Sequence, residues 1–127
     1  MAVKLGSRVV PSLFVANMHE ALEFYVDKLG FEQTGYYPIE SEPEWTEVRR
    51  DDAILHLFTD SPHGTFEAPV LSGIIYFHPE GVEALADELR EKVEILWGPE
   101  VTDGGMREFG IRDPNGYLLA FTEPAGV

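Results

Sequence analysis

Cysteine is missing from this chain of 127 residues. Its absence excludes disulfides, thiolate-bound zinc or iron–sulfur centres, and thiol catalysis. Basic residues are scarce: 9 Lys and Arg stand against 23 Asp and Glu, a net charge of −14. A surface of that sign repels phosphate backbones and anionic lipid, so nucleic acid and membrane surfaces are poor partners. It attracts cationic ligands instead. Long hydrophobic runs are also missing, and nothing approaches the roughly 20 apolar residues of a membrane span. Residues 1–7 carry no apolar stretch of the kind a signal peptide needs, so a cytoplasmic protein is expected. No glycine-rich phosphate loop of the usual spacing occurs, and no serine lies in a nucleophile-elbow context. What remains has a globular balance, 44% hydrophobic and 25% charged, in a length suited to one domain or two small units sharing a core.

The order of elements repeats. Residues 8–15 are apolar and β-rich, interrupted by Pro11, which suits an edge strand. Asn17, with Glu20 three residues on, has the spacing of a helix capping box. Met18, Ala21, Leu22, Tyr25, Val26 and Leu29 then form one helical stripe, and Gly30 ends it. Strand-like segments follow at about 31–37, 44–50 and 53–59, with Asp51-Asp52 as the turn between the last two. Residues 60–70 keep no hydrophobic period and read as a linker. The second half begins with a strand at 71–78. Val82, Leu85, Ala86 and Leu89 make the next helical stripe, and strands follow at about 93–97, 106–112 and 117–122. Gly98-Pro99 and Gly104-Gly105 read as breaks.

Each half is therefore βαβββ, with module one at about 8–59 and module two at about 71–124. One such unit cannot bury both its helix stripe and its sheet; two can. The expected fold is α+β: two βαβββ modules forming a curved eight-stranded mixed sheet, helices on the convex side and a ligand cleft on the concave one.

Two stretches carry a family resemblance. Val15-Ala16-Asn17-Met18, Ala21-Leu22-Glu23-Phe24-Tyr25 and Leu29-Gly30-Phe31 resemble the opening of the vicinal oxygen chelate superfamily, which includes glyoxalases, extradiol dioxygenases and bleomycin-resistance proteins. Asp113-Pro114-Asn115-Gly116, followed by Tyr117-Leu118-Leu119-Ala120-Phe121, resembles its last turn and strand. The resemblance spans nearly the whole chain. It implies a homodimer with clefts at or near the interface. In catalytic members it implies four metal ligands, one on each of four cavity strands. Counting from the two motifs, those positions fall on Val10, His56, Gly73 (Ser72 if the count is one residue off) and Ala120. Only His56 has a donor side chain, and one imidazole does not make a metal site. The strand pattern Pro11-x-Leu13, the sequence Met106-Arg107-Glu108-Phe109-Gly110 and the closing Leu118-Leu119-Ala120-Phe121 look most like the bleomycin-resistance branch, whose members bind a drug without transforming it.

The expected function is thus metal-free binding and sequestration of a small drug or natural product, with no cofactor and no catalytic residue. The alternative is a metal-dependent lyase, isomerase or dioxygenase of the same superfamily, with a shifted site around His56 and carboxylates such as Glu47 or Glu108. Candidate ligand contacts are His56, Phe58, Trp45, Tyr37, Trp97, Arg107 and Phe109. The aromatic rings could stack on a planar ligand or hold a cation; His56 could exchange a proton near neutrality; Arg107 could meet an anionic group. Glu40, Glu42, Glu44 and Glu47 flank Trp45 and form either a solvated run or the anionic rim of the cleft.

Overall fold

The computed structural model describes residues 2–61 and 63–126. Its elements run β1 (Ser12–Phe14), α1 (Met18–Leu22) continuing into a π-helical segment (Glu23–Lys28), β2 (Glu32–Tyr37), β3 (Trp45–Arg50), β4 (Ala53–Phe58), β5 (Ile74–Phe77), α2 (Val82–Leu89), β6 (Ile95–Val101), β7 (Met106–Arg112) and β8 (Leu118–Pro124). The α+β class and the repeated βαβββ order are those expected. The eight strands hydrogen-bond as two sheets of four, β1-β4-β3-β2 and β5-β8-β7-β6, rather than as one sheet of eight. β1 and β5, each at an edge of its sheet, are the shortest strands, with three and four residues. Pro11, just before β1, has no N–H to offer a neighbour. No helix among the described residues is long and apolar enough to cross a membrane.

Local chemistry sets the element ends. Asn17 accepts a hydrogen bond from the Glu20 amide at 2.9 Å and caps α1. Gly30 stops the helix at φ 77°, and Asp51 turns the β3–β4 hairpin at φ 52°. Gly98-Pro99 does not break the strand as expected: β6 runs through it as a bulge, with Gly98 at φ 77°. A Cβ there would come within 2.1 Å of the Glu108 carbonyl, so only glycine lets the bulge close on β7. The N-terminus of α2 has no side-chain cap of its own. Glu123, from β8, accepts from the Gly81 and Val82 amides at 3.0 and 2.6 Å. Those two bonds hold its carboxyl below the usual carboxylate range.

The helices of both halves lie on the inner side of their sheets and share one core. Leu13, Val48, Leu55 and Leu57 from the first sheet join Phe109, Ile111, Leu119 and Phe121 from the second. A chain of rings crosses between the halves: Tyr25–Phe31 at 5.9 Å, Phe31–Phe77 at 6.1 Å, Phe77–Phe121 at 5.1 Å and Phe121–Phe109 at 4.8 Å. The other faces of both sheets point outward.

Polar bonds close the seam. The Asp113 carboxylate, buried to 4% exposure, accepts from the Tyr25 hydroxyl at 2.7 Å and from the Asn115 and Tyr117 amides at 2.8 and 2.9 Å. The Asn115 side chain accepts from the Ala16 amide, and the Tyr117 hydroxyl donates to the Phe14 carbonyl. Arg50 forks onto Glu88 of α2 at 2.9 and 3.1 Å and onto the Leu29 carbonyl at 2.9 Å. The Asp-Pro-Asn-Gly turn is therefore a latch onto the first half.

Burial pushes the Asp113 carboxyl above its ordinary 3.8 and outweighs its hydrogen bonds; the same burial, with the Asp113 charge beside it, pushes the Tyr25 hydroxyl well above 10. With a raised folded pKa, the native state holds the Asp113 proton longer than the unfolded chain. This group's contribution to stability falls as pH rises from 3.8 through the raised value. Asp113→Asn, which keeps an acceptor for the two amides, should flatten that part of the stability–pH curve in urea titrations. Asp113→Ala should cost about 2–4 kcal/mol at neutral pH, because the buried Tyr25 hydroxyl loses its acceptor.

Candidate functional site

The outer face of the first sheet is built by cross-strand alternation. Ser12 pairs with His56 and Phe14 with Phe58 between β1 and β4. Glu47 pairs with His56 and Trp45 with Phe58 between β3 and β4. Residues in direct register point to the same side, so these six share the outer face. The Trp45 indole lies across β2 at Gly35, where a Cβ would stand 3.3 Å from the ring. Phe66, from the linker, packs on this face against Phe14 at 6.0 Å and Phe58 at 4.9 Å.

These elements enclose a cleft of about 720 Å³, lined by Tyr37, Trp45 and Phe58, by Ser12, and by Glu44, Asp60, Ser61 and His63. Glu44 and Asp60 have no cationic partner among the described residues. The lining thus combines three aromatic rings with two carboxylates. Of the expected contacts, Tyr37, Trp45 and Phe58 are brought together here. The linker residues could not be read from sequence, since no periodicity marks where a linker folds back. Ser12 was accessible through its two-residue spacing from Phe14.

His56 lies beside this cleft, edge-on to Trp45 with ring centroids 4.9 Å apart. Its Nε2 is 2.9 Å from Glu47 Oε2, and Thr34 donates to Glu47 Oε1 at 2.8 Å. Hydrogen bonds from His56 and Thr34 hold the Glu47 carboxyl below its usual range. Glu47 therefore stabilises the fold above its ordinary 4.5, and that contribution is lost as pH falls through the lowered value.

Three expected contacts are placed elsewhere. Phe109 is fully buried and stacks on Phe121, because its alternation on β7 points inward. Arg107 shares that inward parity and reaches Glu83 of α2 at 3.3 Å, not a carboxylate on an adjacent strand. Trp97 lies on the outer face of the second sheet, where its Nε1 donates to Glu108 at 3.1 Å. Its ring covers Gly110 so closely that a Cβ there would sit 2.1 Å from it.

The four metal positions of the superfamily can be tested on these residues. Gly73 sits in a bend before β5, and Ile74 is the outward-facing residue of the strand, paired with Leu118. Val10, Ile74 and Ala120 carry no donor. Ala120 pairs with Gly110, the glycine beneath Trp97. Among the described residues, no three His, Asp or Glu side chains come together as a metal-holding group. The side chains of the described residues do not fit a four-ligand centre.

The fold and this face define a class. The chain belongs to the Glyoxalase/Bleomycin resistance protein/Dioxygenase superfamily, whose model matches residues 7–121. No curated protein matches it in sequence. Among solved structures, TioX from Micromonospora sp. ML1 superposes with TM-score 0.77 at 19% identity, over 94% of this chain and 99% of that one. TnmS3 from Streptomyces sp. CB03234, described as an antibiotic binding protein, gives 0.73 at 23% identity, over 98% of both chains. A superfamily member from Sphaerobacter thermophilus DSM 20745 gives 0.73 at 22%, over 94% of this chain and 98% of that one. At these identities the likeness is one of fold.

The Trp97 seat yields a test. Gly110→Ala should expel the indole and break its bond to Glu108. The expected cost is about 1–3 kcal/mol in urea unfolding, with red-shifted Trp97 emission in a Trp45→Phe background. Unchanged stability and emission would show that the ring does not rest on Gly110.

Proposed function

We propose that the chain binds and sequesters a small organic ligand, a planar or cationic drug or natural product, without transforming it. The observation that carries this reading is the cleft itself, lined by Tyr37, Trp45 and Phe58 together with Glu44 and Asp60, which have no cationic partner among the described residues. A flat ligand gains stacking on the rings, and a cationic one gains attraction to both ring faces and carboxylates, about 0.5–2 kcal/mol per aromatic contact. TnmS3, with the same fold, is described as antibiotic binding, which supports a binding role over a catalytic one.

The functional unit in this reading is a cytoplasmic homodimer. Ile74 and Tyr76 leave the outer face of the second sheet 40% and 47% exposed.

Titration with bleomycin and with planar cationic antibiotics, read by Trp45 fluorescence, tests the proposal. Saturable quenching is expected, with the compound recovered intact by mass spectrometry. Trp45→Ala, titrated beside the unsubstituted chain by isothermal calorimetry, should weaken binding about tenfold, from the loss of one ring contact. Consumption of the compound would overturn sequestration.

A second reading keeps the superfamily's metal chemistry at a displaced site, favoured by the His56–Glu47 contact at 2.9 Å. Thermal unfolding with Mn, Fe, Ni and Zn separates the two, because a native-state ligand raises the midpoint. Sequestration without metal expects no rise.

A further inference from the structure

A second cleft, of about 330 Å³, opens at the seam between the halves. It shares no lining residue with the aromatic cleft. Its charge is opposite in character to that of the molecule. Of the nine basic residues in the chain, three line it: Lys28 at the end of the π-helical segment, Lys92 after α2, and Arg112 at the end of β7. The basic residues that form ion pairs with Asp or Glu among the described residues are Arg50, Arg90 and Arg107. None of the three in the cleft has such a pair or donates a side-chain hydrogen bond among those residues.

Two carboxylates also line the cleft, Glu94 and Asp113. Both Asp113 oxygens are already taken, one by Tyr25 and the other by the Asn115 and Tyr117 amides. Glu94 is left to face three cations. A lysine in the last turn of a helix complements the helix dipole, which accounts for Lys28. It does not account for Arg112, at a strand end. The molecular charge of −14 does not prevent anion binding there. Charges beyond about 8–10 Å are screened at physiological ionic strength, so the local cluster decides.

The geometry points to an oxyanion site at this seam, taking a small ligand with two or more negative charges, held by Lys28 of the first half and by Lys92 and Arg112 of the second. The planar guanidinium can grip two oxygens of a phosphate or carboxylate at once, and the lysines act as point charges. Because the ligand touches both halves, it stabilises their packing. The site is independent of the proposed sequestering role and stands or falls without it.

The test uses the full chain, with inorganic phosphate and citrate as probes at ionic strength matched by sodium chloride. Thermal unfolding should show a saturable rise in midpoint with one or both probes and none with chloride. Phosphate alone acting identifies a phosphoryl ligand; citrate alone identifies a polycarboxylate. Amide resonances of residues 92–96 and of Arg112, Asp113, Asn115 and Gly116 should shift during the titration. Arg112→Ala and Lys92→Ala should each weaken binding about tenfold or more, the loss of one charge-assisted contact. Arg90→Ala removes the same charge outside the cleft, from a residue paired with Asp87, and should leave binding unchanged. An equal response to chloride, an absence of any response, or equal weakening in all three variants would overturn the site.

Discussion

Asp113 occupies the costliest position in the molecule, a carboxylate withdrawn from water where the two halves meet. Desolvating such a group is unfavourable unless its lone pairs are filled. Here they are filled from two directions. Its own turn supplies two amides, and the other half supplies the Tyr25 hydroxyl across 88 residues of sequence. The same turn takes the Ala16 amide and sends Tyr117 to the Phe14 carbonyl. The turn therefore fixes how the second half sits against the segment joining β1 to α1. The ring chain from Tyr25 to Phe109 packs across the same junction.

Both sheet faces that point away from this core use one device. Each carries a tryptophan lying across a glycine on the neighbouring strand: Trp45 over Gly35, Trp97 over Gly110. Each also carries a glutamate that anchors a nearby ring, Glu47 for His56 and Glu108 for Trp97. A flat ring needs a side-chain-free strand to rest on, and an anchored ring loses less entropy when a ligand stacks on it. The faces differ in charge and cover. The first gains a rim from Glu44, Asp60 and the Phe66-bearing linker.

Much of this was legible from residue order. Spacing of three and four located both helices, and alternation located the strands. Asn17, Gly30 and Asp51-Asp52 marked ends that the structure keeps. The motifs around Asn17 and Asp113 pointed to the superfamily. Errors arose where one residue of register decides an orientation. Phe109 and Arg107 lie one position from outward-facing neighbours and so face inward. Gly73 lies one position from Ile74. At Gly98-Pro99 a glycine at positive φ allowed the strand to bulge and continue, which the dipeptide alone does not reveal.

Local physics belongs to the chain order: which segments coil, which extend and where they stop. These follow from propensities and periods acting over a few residues. Contacts across dozens of residues belong to the tertiary structure alone. Glu123 capping a helix that starts 41 residues before it is one. The linker folding back onto the first sheet is another, as is the gathering of Lys28, Lys92 and Arg112 at the seam. No local preference encodes such meetings, because they depend on how the two halves pack around one shared core.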